Sequence, residues 1–151
     1  MAGKTFSFEV KRTSSAPPSI LFRLETDGAS WSTWAKPLVM QSRWAREGSP
    51  EPAGVGAIRE IGAWPVLVRE ETLEYEPDTR HVYTLVGRTP VKDYRAEATF
   101  TPTADGGTDL TWTGSFTEKV PGTGRVMLGI LRGAVTLFAN RITKVAESQA
   151  P

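Results

Sequence analysis

The 151-residue sequence contains no cysteine and one histidine. The first absence excludes a disulfide scaffold, thiol catalysis and every thiolate metal site. The second leaves too few imidazoles for a histidine-rich metal centre and makes any Ser–His hydrolase depend on His81 alone. No apolar run reaches the 18 residues of a membrane-spanning helix, and MAGKTFSFEV enters alternating residues directly, without an apolar leader. Charge of one sign is also missing: 18 Lys+Arg face 17 Asp+Glu, a net +1. A nucleic-acid or anionic-membrane protein normally needs a clear basic excess. The acidic residues lack calcium-loop spacing, and Gly122-Thr123-Gly124-Arg125 lacks the Gly-Lys-Ser/Thr ending of a phosphate cradle. The expectation is a cytoplasmic chain with no metal, no cofactor, no nucleic-acid partner and no integral membrane contact.

What is present is ordinary globular material, 39% hydrophobic and 23% charged, in one domain over 1–151. Phe6, Phe8 and Val10 alternate with Ser7, Glu9 and Lys11, which predicts a strand over 5–14. Ser15-Ala16-Pro17-Pro18 opens a short helix with a serine cap, carrying Ile20, Leu21 and Leu24. Asp27-Gly28 ends it, and a second short helix carries Trp31 and Trp34 before Pro37. Strands follow over 39–47, 55–62, 66–76, 79–88, 91–102 and 108–118, with breaks such as Trp64-Pro65 and Asp105-Gly106-Gly107. Connections this short force antiparallel neighbours. After Pro121-Gly122 the period becomes 3.6. Met127, Leu131, Ala134, Phe138, Ile142 and Val145 form one stripe of a helix to about 148, a rod of roughly 37 Å.

This order resembles the START-like (helix-grip, SRPBCC) superfamily, and within it the polyketide cyclase/dehydrase and lipid-transport family. The resemblance rests on Ala16-Pro17, on Asp27 with Trp34 before Pro37, and on Val55-Gly56-Ala57-Ile58-Arg59. It continues through Arg69-Glu70-Glu71, Glu74-Tyr75-Glu76-Pro77, Val82-Tyr83-Thr84-Leu85, Ala98-Thr99-Phe100-Thr101-Pro102 and Gly107-Thr108-Asp109-Leu110-Thr111-Trp112. It implies an α+β helix-grip fold: a seven-stranded curved antiparallel sheet wrapped around a long C-terminal helix, with two short helices between strands 1 and 2. It also implies a cavity between sheet and helix.

Hairpin arithmetic assigns residues to faces, because opposed residues share one. Pairing Ala98 with Trp112 sets Ala96 against Gly114, Phe100 against Leu110 and Tyr94 against Phe116. Tyr83 then opposes Ala96, Leu85 opposes Tyr94, Thr72 opposes Tyr83, Glu70 opposes Leu85 and Arg59 opposes Glu70. One face collects Arg59, Glu70, Thr72, Tyr83, Leu85, Tyr94, Ala96, Ala98, Trp112, Gly114 and Phe116. The small residues Ala96, Ala98 and Gly114 leave room there for a ligand or for the helix. Leu73, Tyr75, Val82 and Val86 fall outside; either they offer a surface for a homodimer or a β-bulge shifts the register.

The charged pair Arg59–Glu70 on this apolar wall is either a structural ion pair or an anchor, with Arg59 holding a ligand carboxylate or carbonyl. Tyr83 and Tyr94 can donate hydrogen bonds to a ligand oxygen or protonate an enolate. The predicted ligand contacts are that face together with Trp34, Met127, Leu131, Ala134 and Phe138; Trp64 reads as a flexible lip and His81 as a surface residue. The leading expectation is a protein that binds a small hydrophobic molecule, such as a polyketide, fatty acid or other lipid. The enzyme alternative is a polyketide cyclase/dehydratase with Arg59, Tyr83 and Tyr94 as catalytic candidates, and the third is a protein-interaction module.

Overall fold

The computed structural model describes residues 3–150. Its elements run β1 (Thr5–Ser14), α1 (Pro18–Thr26), α2 (Trp31–Trp34), β2 (Gln41–Arg46), β3 (Ile58–Ala63), β4 (Val66–Glu76), β5 (Arg80–Val86), β6 (Val91–Pro102), β7 (Thr108–Glu118) and α3 (Gly124–Gln149). The seven strands form one antiparallel, curved sheet in the order β1-β7-β6-β5-β4-β3-β2. The helix-grip expectation is met in element order, sheet and terminal helix. The strands expected over 39–47 and 55–62 are shorter, and helix α1 starts after Pro17 with no side-chain cap, so the serine cap does not form.

The registers Arg59↔Glu70, Thr72↔Tyr83, Glu70↔Leu85, Tyr83↔Ala96, Ala96↔Gly114 and Ala98↔Trp112 all occur as the hairpin arithmetic sets them. Two bulges break the rest. One, between Thr72 and Glu74, leaves Leu73 as the extra residue and pairs Tyr75 with His81. Tyr75 therefore turns to the concave side, where its ring meets Phe22 edge-on at 5.2 Å. The other, between Lys92 and Arg95, removes the expected Tyr94–Phe116 pair and places Asp93 at φ 53°. A bulge inserts one unpaired residue and reverses the face of everything beyond it.

These shifts dissolve the outer apolar patch that would have served a homodimer. Tyr75 is inside, Val82 is fully buried in register with Glu74 and Glu97, and Val86 is only half-exposed. Around Val82 the convex face carries a lattice of ion pairs, from Arg80 to Glu74, Glu76 and Glu97 and from Arg95 to Glu74.

Helix α3 lies chiefly over β1, with lesser contacts to β7, α1 and α2. Under it, Phe8, Val10, Phe100, Leu110, Trp112 and Phe116 form a closed apolar core. Gly114 is not room for a ligand. A Cβ there would fall inside the ring of Phe8, so the missing side chain lets Phe8 pack down onto β7.

Candidate functional site

Because α3 leans toward β1, the opposite half of the concave face stays open. A cavity of about 490 Å³ lies between α3 and strands β3 to β5. Its walls are Ile61, Val68 and Leu85 from the sheet, Val39 from the loop after α2, and Leu131, Ala134, Val135 and Phe138 from α3. Leu38, Val66 and Ile130 line the same space while remaining largely exposed, so they mark its mouth. Three side chains bring polar atoms to an otherwise apolar lining: Glu70, Tyr83 and Tyr94.

Of the residues expected to contact a ligand, Glu70, Tyr83, Leu85, Tyr94, Leu131, Ala134 and Phe138 line this cavity. Trp34, Arg59, Thr72, Ala96, Ala98, Trp112, Gly114, Phe116 and Met127 do not. Most of these belong to the filled half of the interior. Trp34 packs at a tilt against Trp31, ring centroids 4.6 Å apart, and its Nε1 is the one buried side-chain polar atom without a partner among the described residues.

Arg59 requires the largest correction. It does point inward, but its guanidinium is sealed within a polar cluster rather than offered to the cavity. Its Nε donates to Glu70 at 2.9 Å, its Nη2 to the Glu25 carboxylate at 3.0 Å, and its Nη1 to the Glu25 carbonyl oxygen. Trp31 and Tyr83 cover the guanidinium with their rings, 4.6 and 4.8 Å from its central carbon. Gly28 closes the turn between α1 and α2 over it, since a Cβ there would press on the Arg59 Cβ and on the ring of Trp44. Burial opposes the charge on Arg59, yet Glu70 and Glu25 outweigh it and hold the group above its ordinary value.

His81 completes the cluster and is not a surface residue; it is 1% exposed. Its Nδ1 lies 2.7 Å from Glu25 Oε1, its Nε2 lies 2.9 Å from the Thr72 hydroxyl, and its ring stacks on Tyr83 at 5.2 Å. Parity alone leads to this placement, because His81 stands two residues before the inward Tyr83 on one strand. Glu25 is the member sequence reasoning missed altogether. Its signal was its position four residues after Leu21, on the buried stripe of α1. Burial raises the Glu25 pKa, but His81 and Arg59 override it and hold the carboxyl below the usual range.

Glu70 has the opposite balance. Its side chain keeps 11% exposure, and desolvation outweighs the attraction of Arg59, so its pKa stands above the ordinary value. Among the described residues only Oε1 has a hydrogen-bond partner, which leaves Oε2 for the cavity. Tyr83 accepts a hydrogen bond from Trp112 Nε1 at 3.1 Å and keeps its own proton to donate. Tyr94 makes no side-chain hydrogen bond among the described residues. Burial, reinforced by the nearby Glu70 charge, pushes both phenols upward, so they remain protonated donors. The polar corner thus combines a carboxyl of raised pKa with two phenolic O–H groups, while its cation is enclosed behind them.

Solved structures share this frame. Ara h 8.0201 superposes with a TM-score of 0.74 at 19% identity, covering 96% of this chain and 99% of that one. A point mutant of Thalictrum flavum norcoclaurine synthase, in complex with a transition-state analogue, gives 0.77 at 12% identity over 99% and 98% of the two chains. An uncharacterized protein from Bacillus thuringiensis gives 0.72 at 13% identity over 93% and 98%. No curated protein matches the sequence. The family model for polyketide cyclase/dehydrase and lipid transport matches residues 5–147, and the chain belongs to that family.

Proposed function

We propose that the protein binds a small, uncharged hydrophobic molecule in the cavity, with a carbonyl or hydroxyl group at the Glu70–Tyr83–Tyr94 corner. The observation that carries this reading is the enclosure of Arg59. With the guanidinium spent on Glu25 and Glu70, the polar groups left facing the ligand are two O–H donors and a carboxyl. A fatty-acid carboxylate would meet Glu70 without a free cation to offset it, whereas a ketone or phenol of polyketide type finds complementary donors and an acceptor. The volume of about 490 Å³ falls within the roughly 300–1,000 Å³ of small-molecule sites. Apolar burial at about 25 cal/mol per Å² would supply most of the affinity.

Titration with a neutral probe (Nile red) and an anionic one (cis-parinaric acid) tests this at pH 8. The neutral probe binds at least tenfold more tightly, Ala134→Phe weakens it at least tenfold, and Glu70→Gln narrows the gap between the probes. Nile red binding that is absent, or indifferent to Ala134→Phe, overturns the proposal.

A cyclase reading gains support from the raised pKa of Glu70 beside two phenols. The Glu70 carboxylate would take an α-proton from a bound polyketone while Tyr83 and Tyr94 hold the enolate oxygen. Turnover of a poly-β-ketone that falls at least a hundredfold in Glu70→Gln, with binding retained, is its signature. Equal turnover in Glu70→Gln rules it out.

A further inference from the structure

The net charge of +1 conceals a strongly uneven distribution. In the antiparallel sheet, the loop entering β2, the β3–β4 and β5–β6 turns and the β7–α3 loop all emerge at one end, where the cavity opens. The segments 34–40, 62–68, 86–92 and 119–130 carry Lys36, Arg88, Lys92, Lys119 and Arg125 and no acidic residue. All five are exposed. None belongs to an ion pair among the described residues, whereas Lys11, Arg43, Arg46, Arg59, Arg69, Arg80 and Arg95 do. Of the acids flanking these segments, Asp93 adjoins Lys92, and Glu118 accepts the backbone N–H groups of Lys4, Gly122 and Gly124. The opposite end carries Glu47, Glu51, Glu76, Asp78 and Asp105.

Exposed apolar side chains gather at the same basic end. Trp64, at the β3–β4 turn, is 76% exposed and Val66 is 70%, while Met40, Val120, Val126 and Ile130 are each more than half exposed. A tryptophan at a loop tip, aliphatic neighbours and unpaired cations are the elements of an interfacial anchor. A second copy of the chain fits this end poorly, since a two-fold contact would set the five cations against their own duplicates. We propose that the cavity-mouth end docks on an anionic membrane surface, with Trp64 and its aliphatic neighbours in the headgroup layer and the unpaired cations on lipid phosphates. The proposal goes beyond the ligand reading and does not depend on what the cavity holds.

Co-sedimentation of the full chain with phosphatidylcholine vesicles, alone or with 30% phosphatidylserine, tests it. Binding is expected to the anionic vesicles only and to vanish near 0.5 M salt, where screening shortens to a few ångströms. Neutralising each surface cation costs about fivefold. The combined Lys36→Gln, Arg88→Gln, Lys119→Gln and Arg125→Gln variant therefore loses several hundredfold, and Trp64→Ser with Met40→Ser loses tenfold or more. Arg12→Gln with Arg23→Gln, away from this end, binds as wild type. All these positions except the half-buried Arg12 are exposed, and an unchanged thermal midpoint verifies the fold. No binding, equal binding to both vesicles, or variants that bind like wild type overturns the proposal. So does a concentration-dependent dimer that Trp64→Ser dissolves, which would make a second copy the occupant. Vesicle binding without Nile red uptake retains docking and removes the ligand reading; uptake without vesicle binding does the reverse.

Discussion

Across β1, β7 and β6 the concave face is filled: Phe8 occupies the space over Gly114, Phe6 stacks on Phe116 at 5.6 Å, and Phe22 meets Phe100 at 5.6 Å. Across β5, β4 and β3 the same face is a void bordered by Leu85, Val68 and Ile61. Both halves use inward apolar residues on alternating strands. The difference lies in the placement of α3, which rests on β1 and β7 and bridges to the far strands only through the cavity. One helix cannot cover a seven-stranded curved sheet at contact distance, since helix axes pack roughly 8–10 Å from what they touch. The Glu25–Arg59–His81 cluster lies where β3 to β5 meet α1 and α2, and it props the open half with hydrogen bonds where the closed half uses rings.

The largest test of that contrast is Arg59→Met. It leaves Glu25 and Glu70 without their shared cation and is expected to cost about 3–5 kcal/mol in urea denaturation. Adding Glu25→Gln should recover part of the loss. Loss below about 1 kcal/mol would mean that the cluster does not support the hollow half. Next come matched fillings of the two halves. Ala96→Leu, in the filled half, overpacks a fully buried site and should cost about 1–3 kcal/mol, whereas Ala134→Phe should change stability by less than about 1 kcal/mol while lowering probe affinity. Equal costs at the two positions would erase the distinction.

The two neighbouring indoles, Trp31 and Trp34, sharpen the boundary further. Trp31 Nε1 donates to the Glu25 carbonyl oxygen at 2.9 Å, so Trp31→Phe should lose about 1–3 kcal/mol. Trp34→Phe removes an unpartnered donor and should stay within about 1 kcal/mol of wild type by thermal melting. The smallest effect is a slope with pH. Burial raises the Glu70 pKa above 4.5, so the folded state holds that proton more tightly than the unfolded chain does. The associated stability is full below pH 4.5 and is lost as pH rises through the raised value. Glu25 acts in the opposite direction, its contribution being lost as pH falls below 4.5 through its lowered value. Stability of Glu70→Gln relative to wild type should therefore climb between pH 5 and 8 in paired urea titrations; a flat difference would show Glu70 to titrate normally.

Much of the sheet was legible from turns and parity. Asp105-Gly106-Gly107 and Trp64-Pro65 set hairpins whose arithmetic brought Ala98 to Trp112 and Arg59 to Glu70. The same parity, carried two residues back from Tyr83, places His81 inside. Its polar side chain suggested solvent, but Glu25 and Thr72 satisfy both ring nitrogens. The bulge at Leu73 was signalled only by apolar residues falling outside, and it turns Tyr75 inward; the bulge at Asp93–Tyr94 left no such signal and parts Tyr94 from Phe116.

Alternation, short turns and a terminal 3.6-residue period were enough to determine seven antiparallel strands and one long helix, because those features are local to a few residues. Which half of the interior fills, and whether Arg59 meets a ligand or a second carboxylate, were decided by the docking of α1 and α3 on the sheet. Those outcomes depend on contacts between residues such as Glu25 and His81, 56 positions apart, whose proximity exists only once the chain has folded.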